Sequence, residues 1–576
     1  MMKIRHVDIQ NFRGIRRLTW SLNSDFNCLI GPGDSCKTTF LNALDFALAP
    51  RVSVAFDDTD FFNLDVSDPI IIQVTLAHWD IGREAVQKLF QESKFGQMKC
   101  GLALSGPTPE PSTTEVEALN ISLRVDRSLE PKWFVVKGVD QSEEVERRPI
   151  YAADRVALGL ARLESQSDGQ FTWGRNTILT RLGDEGQGAV GGVLSELARE
   201  IRNADIAQHQ SVADCQTLAD SILKSSGAIG ALLRNLSPRI DLQKHSIGSG
   251  ALALHEGQVP IRNKGIGTKK LIGLAMQMSL NEGKSISLID ELETGLEPHR
   301  IRGLIYQLKK TGQQVFTTTH SAVVIRELSV EANDLHVCKT DSDGTMSIQS
   351  LNIVPNVQGP VRSNAEAFLG TKIIACEGLT EIGLLKAYDN FRIEAEAIPV
   401  WSLRTAFMNC GGGSKVRPAC ESLVALGYRT AFLCDDDAPT QIGPADFAAL
   451  ESIGVLATHW NDNNSTEGQL FAEVPWESMT GLLTLIAHSH DSIELSSIVD
   501  LIRTDFVPNG QLGIEIASWP ESPHLRKSIG HLAHKGGWIK RTDYAEKAFR
   551  FVLPLLPTTG VMATKLTALW KWIQNE

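Results

Sequence analysis

Hydrophobic and polar positions alternate over residues 3–10, and the chain then turns at Asn11-Phe12-Arg13-Gly14. A period of two predicts a half-buried strand. A second strand ends in Phe26-Asn27-Cys28-Leu29-Ile30, a glycine-rich loop follows, and Thr39-Phe40-Leu41-Asn42-Ala43-Leu44 opens a helix. Residues 70–78 read as a buried strand, and further strands are expected near 119–125 and 133–137. From about 153 to 245 the period lengthens, with helices expected around 193–201 and 213–223. This predicts a helical insert dividing the first domain. Strand character returns at 285–289 and 314–319, and a boundary falls near Asn356, Gly359 and Pro360. A new strand–helix series opens at Lys372-Ile373-Ile374-Ala375-Cys376 and alternates to about 460, and the remainder reads as mostly helical. The expected organisation is an α/β multidomain chain: 1–152 and 246–360 as two parts of one domain, 153–245 as the insert, and 366–576 as a second α/β domain with helical additions.

Composition narrows the class. At 576 residues the chain is too long for one core. Its 42% hydrophobic and 22% charged content excludes extended disorder. A formal net charge of -12 is the wrong sign for a protein that coats nucleic acid by charge alone, but it leaves room for local patches or bridging metal ions. The nine cysteines show neither CxxC pairs nor zinc spacing, which favours reduced thiols. No run reaches membrane-span length, and no apolar signal core follows the first residues. A cytoplasmic location with no membrane contact is expected.

Two constellations carry chemistry. The first is Gly31-Pro32-Gly33-Asp34-Ser35-Cys36-Lys37-Thr38, followed by Thr39, between a strand and a helix. This is where a phosphate-binding P-loop belongs. Its backbone N–H groups would cradle phosphates, Lys37 would reach the outer ones, and Thr38 would ligate Mg2+. Cys36 stands where the pattern asks for glycine, so weakened or altered binding is expected. The apolar strand Ile286-Ser287-Leu288-Ile289 ends in Asp290 and Glu291, the Walker B arrangement. Asp290 would hold the Mg2+ through water, and Glu291 would polarise the attacking water. Glu293-Thr294-Gly295-Leu296-Glu297-Pro298 follows at once, and Thr318-Thr319-His320-Ser321 closes a later strand.

The second constellation is acidic. Glu377 ends one apolar strand with Glu381 one turn on, and Asp435-Asp436-Asp437 ends another. Alternation would put Asp435 and Asp437 on one side. Hard oxygen ligands select Mg2+ or Mn2+, and two such ions can activate water and stabilise the leaving oxygen of a phosphodiester. The glycine loop Asn409-Cys410-Gly411-Gly412-Gly413-Ser414 lies between the two acidic strands. Ser465 and Glu467, with Asp462 nearby, either complete a metal shell or begin a helix that Ser465 caps. The basic segment Lys535–Arg541 supplies Lys535 or Lys540 as a charge-neutralising lysine, or is a solvated loop.

In this order the nucleotide motifs resemble the SMC-like branch of the ATP-binding cassette superfamily. The resemblance makes His320 the γ-phosphate switch, 293–298 the loop facing a second subunit, and Lys264-Gly265-Ile266-Gly267-Thr268-Lys269-Lys270 a loose signature motif. It implies a dimer or a higher homo-oligomer. The acidic strands resemble the Toprim domain of topoisomerases, primases and certain nucleases. Five tyrosines, none in a nucleophile context we recognise, argue against a topoisomerase, and a primase would normally lack the cassette ATPase. The whole chain, in order, resembles the OLD (overcoming lysogenization defect) nuclease family, which includes the nuclease subunit of the Gabija anti-phage system. That resemblance implies ATP binding, Mg2+- or Mn2+-dependent DNA cleavage and prokaryotic defence. It further implies a co-encoded partner such as a helicase or reverse transcriptase. The alternative is an SMC-like DNA-organising or repair ATPase whose Toprim domain does not cut.

Overall fold

The computed structural model describes residues 2–51, 54–77, 94–112, 115–140, 145–163, 253–281, 286–436, 440–490, 494–506 and 513–575, with isolated positions between 171 and 217. The N-terminal half is built from two sheets with a helix between them. The first sheet is antiparallel, with Lys3–Phe12 between Ile15–Ser21 and Ile70–Ala77. Ile70–Ala77 is buried along its whole length and pairs on its other edge with Val116–Val125. The helix Lys37–Leu48 places Phe40, Leu41, Ala43, Leu44, Ala47 and Leu48 in the core. That spacing covers more than one helical face. A helix apolar over so wide an arc suits a position between the two sheets.

The second sheet holds the nucleotide motifs. Its order is Leu160–Leu163, Ile286–Ile289, Gln314–Thr318, Phe26–Ile30, Leu335–Thr340 and Met346–Ser350, parallel except for the last strand. Ligands of parallel sheets gather at the carboxyl ends of the strands. Gly31, Asp290 and Thr319 directly follow three neighbouring strands here. The sheet also corrects the expected insert. Residues 152–158 are short helical turns, and Leu160–Leu163 pairs with the strand that ends at Asp290. This sheet therefore continues past residue 152, because a short edge strand lies at the start of the helical pattern. Most of 164–252, including the expected helices at 193–201 and 213–223, lies outside the described residues.

The C-terminal half has a four-stranded parallel sheet ordered Thr405–Asn409, Lys372–Cys376, Arg429–Cys434, Leu456–His459. Helices Val416–Ala425 and Pro444–Ser452 cover one face. Leu379–Glu394 and the C-terminal helices bury the other in a large core around Trp460, Phe471 and Trp570. A third core joins the two halves, running from Cys28, Ile30 and Leu304 through Val361 and Phe368 to Leu423 and Tyr428. All nine cysteines are unpaired. Among the described residues, no helix is long and apolar enough to cross a membrane.

Candidate functional site

The glycine-rich loop closes on its own lysine. Lys37 Nζ donates to the carbonyls of Gly31 (3.1 Å) and Pro32 (2.6 Å) and to Ser35 Oγ (2.9 Å). Burial lowers its pKa. Gly31 needs its glycine: its φ is 136°, and a Cβ there would lie 2.5 Å from the Cys338 carbonyl. Cys36 is the helix N-cap residue, left-handed at φ 59°, a conformation costing a non-glycine residue roughly 1–2 kcal/mol. Its sulfur lies 2.7 Å from where a Cβ on Gly14 would stand, and burial raises the thiol's pKa. The thiol thus occupies the space that a side chain at Gly14 in the Asn11–Gly14 turn would need. Thr39 lies half-buried in the first helical turn, while Gly33 and Asp34 are exposed at the loop tip.

The acid strand meets this loop. Thr38 Oγ1 donates to Asp290 Oδ1 at 3.2 Å, and Thr318 Oγ1 donates to the same oxygen at 2.5 Å. Glu291 is left-handed (φ 46°), with its N–H on Thr318 Oγ1 and its carboxylate accepting from Thr294. His320 is exposed at the end of its strand, and its backbone N–H donates to Glu293 Oε1 at 2.8 Å. Partial burial and then Lys37 lower its pKa. The structure therefore brings Lys37, Thr38, Asp290, Glu291 and His320 together at the carboxyl ends of three neighbouring strands. Sequence reasoning placed Thr318 and Glu293 in their motifs but gave neither its bonding role. It also missed Lys270, buried under the acid turn and bonded to the Glu291 carbonyl, with burial pushing its pKa down to about 8.

The second cluster lies at the carboxyl ends of the four-stranded sheet. Glu377 and Asp435 follow neighbouring strands, and Asp435 N–H donates to Glu377 Oε2 at 3.0 Å. Glu381 is buried in the next helix, with Oε2 accepting from Gly378 N–H at 2.7 Å. Thr466 ties the acids together: its Oγ1 is 2.7 Å from Glu381 Oε1 and 2.9 Å from Asp435 Oδ1, and it accepts from Trp460 Nε1 at 2.7 Å. Glu467 is buried beside His534, with 3.1 Å between His534 Nδ1 and Glu467 Oε2. The glycine loop abuts the cluster, Gly412 N–H donating to the Glu377 carbonyl at 2.9 Å.

Charge crowding marks this cluster. Burial, then the like charges of Glu467 and Glu377, push the Glu381 carboxyl up to about 7. Burial and neighbouring carboxylates drive Asp435 well above its ordinary value. Burial alone would raise Glu467 too, but the hydrogen bond with His534, aided by Lys540, brings it below its usual range. Buried carboxylates at such close range suit a divalent cation. One ligand atom each from Asp435, Glu467 and His534 lies within 4.8 Å of the others, an oxygen and imidazole set that fits such an ion.

Ser465 Oγ accepts from Gly468 N–H at 3.1 Å, so it is spent as the helix N-cap. Asp437 lies outside the described residues. The strand ends at Cys434, and Asp436 turns away to accept from Asn463 N–H. Asp462 is exposed on a turn. The basic segment is not one loop: Lys535 is exposed in the last turn of helix Pro523–Gly536, Gly537 ends that helix at φ 66°, and Trp538 and Ile539 are buried. Of the two lysines, Lys540 is the one whose charge acts on Glu467.

Two stretches of the chain match family models. Residues 2–102 match "AAA ATPase domain", and residues 194–326 match "AAA domain, putative AbiEii toxin, Type IV TA system". No curated protein matches the chain. Among solved structures it is similar to the Smc head domain with an extended coiled coil bound to the C-terminal domain of ScpA, from Pyrococcus furiosus (14% identity, 63% of this chain and 100% of that one, TM-score 0.36). It is also similar to the SMC head domain from Thermotoga maritima (14%, 60% and 98%, TM-score 0.27). A third is the recombination mediator protein RecF-ATPrS (12%, 60% and 98%, TM-score 0.30). The loop lies within the first matched stretch and the acid and histidine strands within the second, and all three stand on one sheet, which supports ATPase domains of the AAA type in these two stretches.

Proposed function

We propose that the chain is an ATP-regulated, divalent-metal-dependent DNA endonuclease of the OLD type, acting in prokaryotic defence as a homo-oligomer. The observation that carries this reading is the convergence of Glu377, Glu381, Asp435, Glu467 and His534 at the carboxyl ends of a small parallel sheet. Asp435, Glu467 and His534 would hold Mg2+ or Mn2+, with Glu377 and Glu381 beside them. Such an ion would supply water activation and charge stabilisation for phosphodiester hydrolysis. The chain's own groups prepare the site. Thr466 fixes the orientation of Asp435 and Glu381, and Glu381 holds a proton over part of the neutral range. His534 orients Glu467, and Lys540 brings positive charge towards the scissile phosphate. In the ATPase half, Lys37, Thr38, Asp290 and Glu291 would hold ATP and its Mg2+, and His320 would sense the outer phosphate.

The test is cleavage of supercoiled plasmid by purified protein with Mg2+ or Mn2+, with and without ATP, beside Asp435→Ala. We expect metal-dependent nicking that falls by about a hundredfold or more in the variant. A variant that cuts like the parent would remove Asp435 from the site. No cleavage by a parent protein that still binds ATP would favour the non-cutting, SMC-like DNA-organising ATPase.

A further inference from the structure

The phosphate loop carries an acid of its own. Asp34 stands at the loop tip, left-handed at φ 62° and exposed. A carboxylate there repels the negative charge of a nucleoside triphosphate seated in the same loop. The matching positive charge comes from the other half of the molecule. Arg404 Nη2 lies 3.0 Å from Asp34 Oδ2, and Arg404 Nη1 lies 3.5 Å from the Gly33 carbonyl oxygen.

The base of this arginine is fixed to the second sheet. Arg404 is left-handed at φ 53° and ends the turn Val400–Leu403. Its carbonyl accepts from Thr371 N–H at 2.8 Å and Lys372 N–H at 3.3 Å, which begin the strand leading to Glu377. A Cβ on Gly370 would come within 2.9 Å of that carbonyl, so the approach needs glycine there. Arg404 also opens the strand Thr405–Asn409, which after about 17 Å reaches the glycine loop bonded to Glu377. One side chain thus spans the phosphate loop and the sheet of the acid cluster.

We infer that Arg404 belongs to the nucleotide site. It neutralises Asp34, so the loop's affinity for a nucleoside triphosphate depends on the second half being docked against it. By linkage, whatever docking adds to nucleotide affinity, bound nucleotide returns to docking. The inference rests on the loop as the ATP site and is independent of cleavage.

The experiment is calorimetric titration of the full chain with a non-hydrolysable ATP analogue, at about 50 mM and about 500 mM salt. The proteins are the parent, Arg404→Ala, Asp34→Asn, the double variant and Lys37→Ala. We expect Arg404→Ala to bind about fivefold more weakly at low salt, and the gap to close at high salt. Asp34→Asn binds at least as tightly as the parent, and the double variant returns to within about twofold of it. Parent-like binding by Arg404→Ala overturns the inference, as does a double variant no tighter than Arg404→Ala. Asp34→Asn binding more weakly than the parent would also overturn it, showing that Asp34 acts through loop geometry. Unchanged affinity in Lys37→Ala is a separate outcome, which removes the loop as the site and the inference with it.

Discussion

His336 shows how a single buried group makes stability depend on pH. It sits fully buried in the strand Leu335–Thr340, with Nδ1 2.9 Å from Ser350 Oγ and its ring edge-on to Trp20. Nε2 has no hydrogen-bond partner, and burial pushes the imidazole down to about 3. Below the ordinary histidine value the unfolded chain takes up a proton that the folded chain refuses. Stability is therefore full above about 6.5 and falls as pH drops towards 3. Between pH 7 and 5 this one group costs about 2 kcal/mol. We expect His336→Phe to remove that share of the acid sensitivity, measured as the difference in denaturation midpoint between the two pH values. An unchanged difference would place the acid sensitivity elsewhere. Legibility at this scale followed the backbone. Glu377, Asp290 and Asp435 were readable because apolar strands end on them, and Glu381 and Glu467 because they begin the next helices. His534 and Arg404 were not. The first lies on an amphipathic helix amid solvated histidines and lysines, and the second is an exposed arginine at the end of a short turn. Neither has a local pattern that distinguishes it from a surface residue.

Elements meet where their backbones can touch, and one such contact shapes the nucleotide site. The helix Ile266–Asn281 starts against the loop that follows Asp290 and Glu291. A Cβ on Gly267 would stand 2.0 Å from the Gly295 carbonyl, and one on Gly295, at φ 74°, would stand 2.8 Å from Gly267 N. This pair lets Lys270 reach the Asp290 and Glu291 carbonyls from below. Gly267→Ala must push the helix start away from the acid turn. Overpacking of this kind costs about 1–3 kcal/mol. We expect a lower melting temperature together with slower ATP turnover. A variant with parent-like turnover would show that the helix start does not set the acid turn. The strand–loop–helix order and the acid and histidine strands were legible because each couples an apolar period to a polar end. Residues 264–270 resemble a loose signature motif, but the backbone contact beneath them depends on a loop distant in the chain. Leu160–Leu163 was misread for the same kind of reason: a four-residue strand carries too little periodicity, and only its pairing with Ile286–Ile289 defines it.

At the scale of the molecule, a boundary at 360–366 divides the sequence but not the core. Val361, Ala365, Ala367 and Phe368 are buried in one cluster with Ile30, Leu304 and Ile325 on the ATPase side and Ile373, Leu423 and Tyr428 on the other. Polar contacts follow the same seam. Tyr428 Oη donates to the Phe368 carbonyl at 2.8 Å, and Lys339 Nζ donates to the Leu426 carbonyl at 2.9 Å while lying 3.8 Å from the Tyr428 ring centroid. Phe368 and Tyr428 meet edge to face, 5.9 Å between centroids. Halves that share a core in this way unfold together unless the seam is weaker than either side. We therefore expect one calorimetric transition for the whole chain, and ATP to raise all of it, because stabilising the loop stabilises everything joined through the seam. Phe368→Ala removes a fully buried ring and should cost about 3–5 kcal/mol. If the seam is the coupling element, that cavity does more than lower the midpoint. It splits the transition in two, and ATP then moves only the ATPase part. A parent protein that already melts in two steps, with ATP raising one alone, would show that the shared core does not bind the halves into one unit.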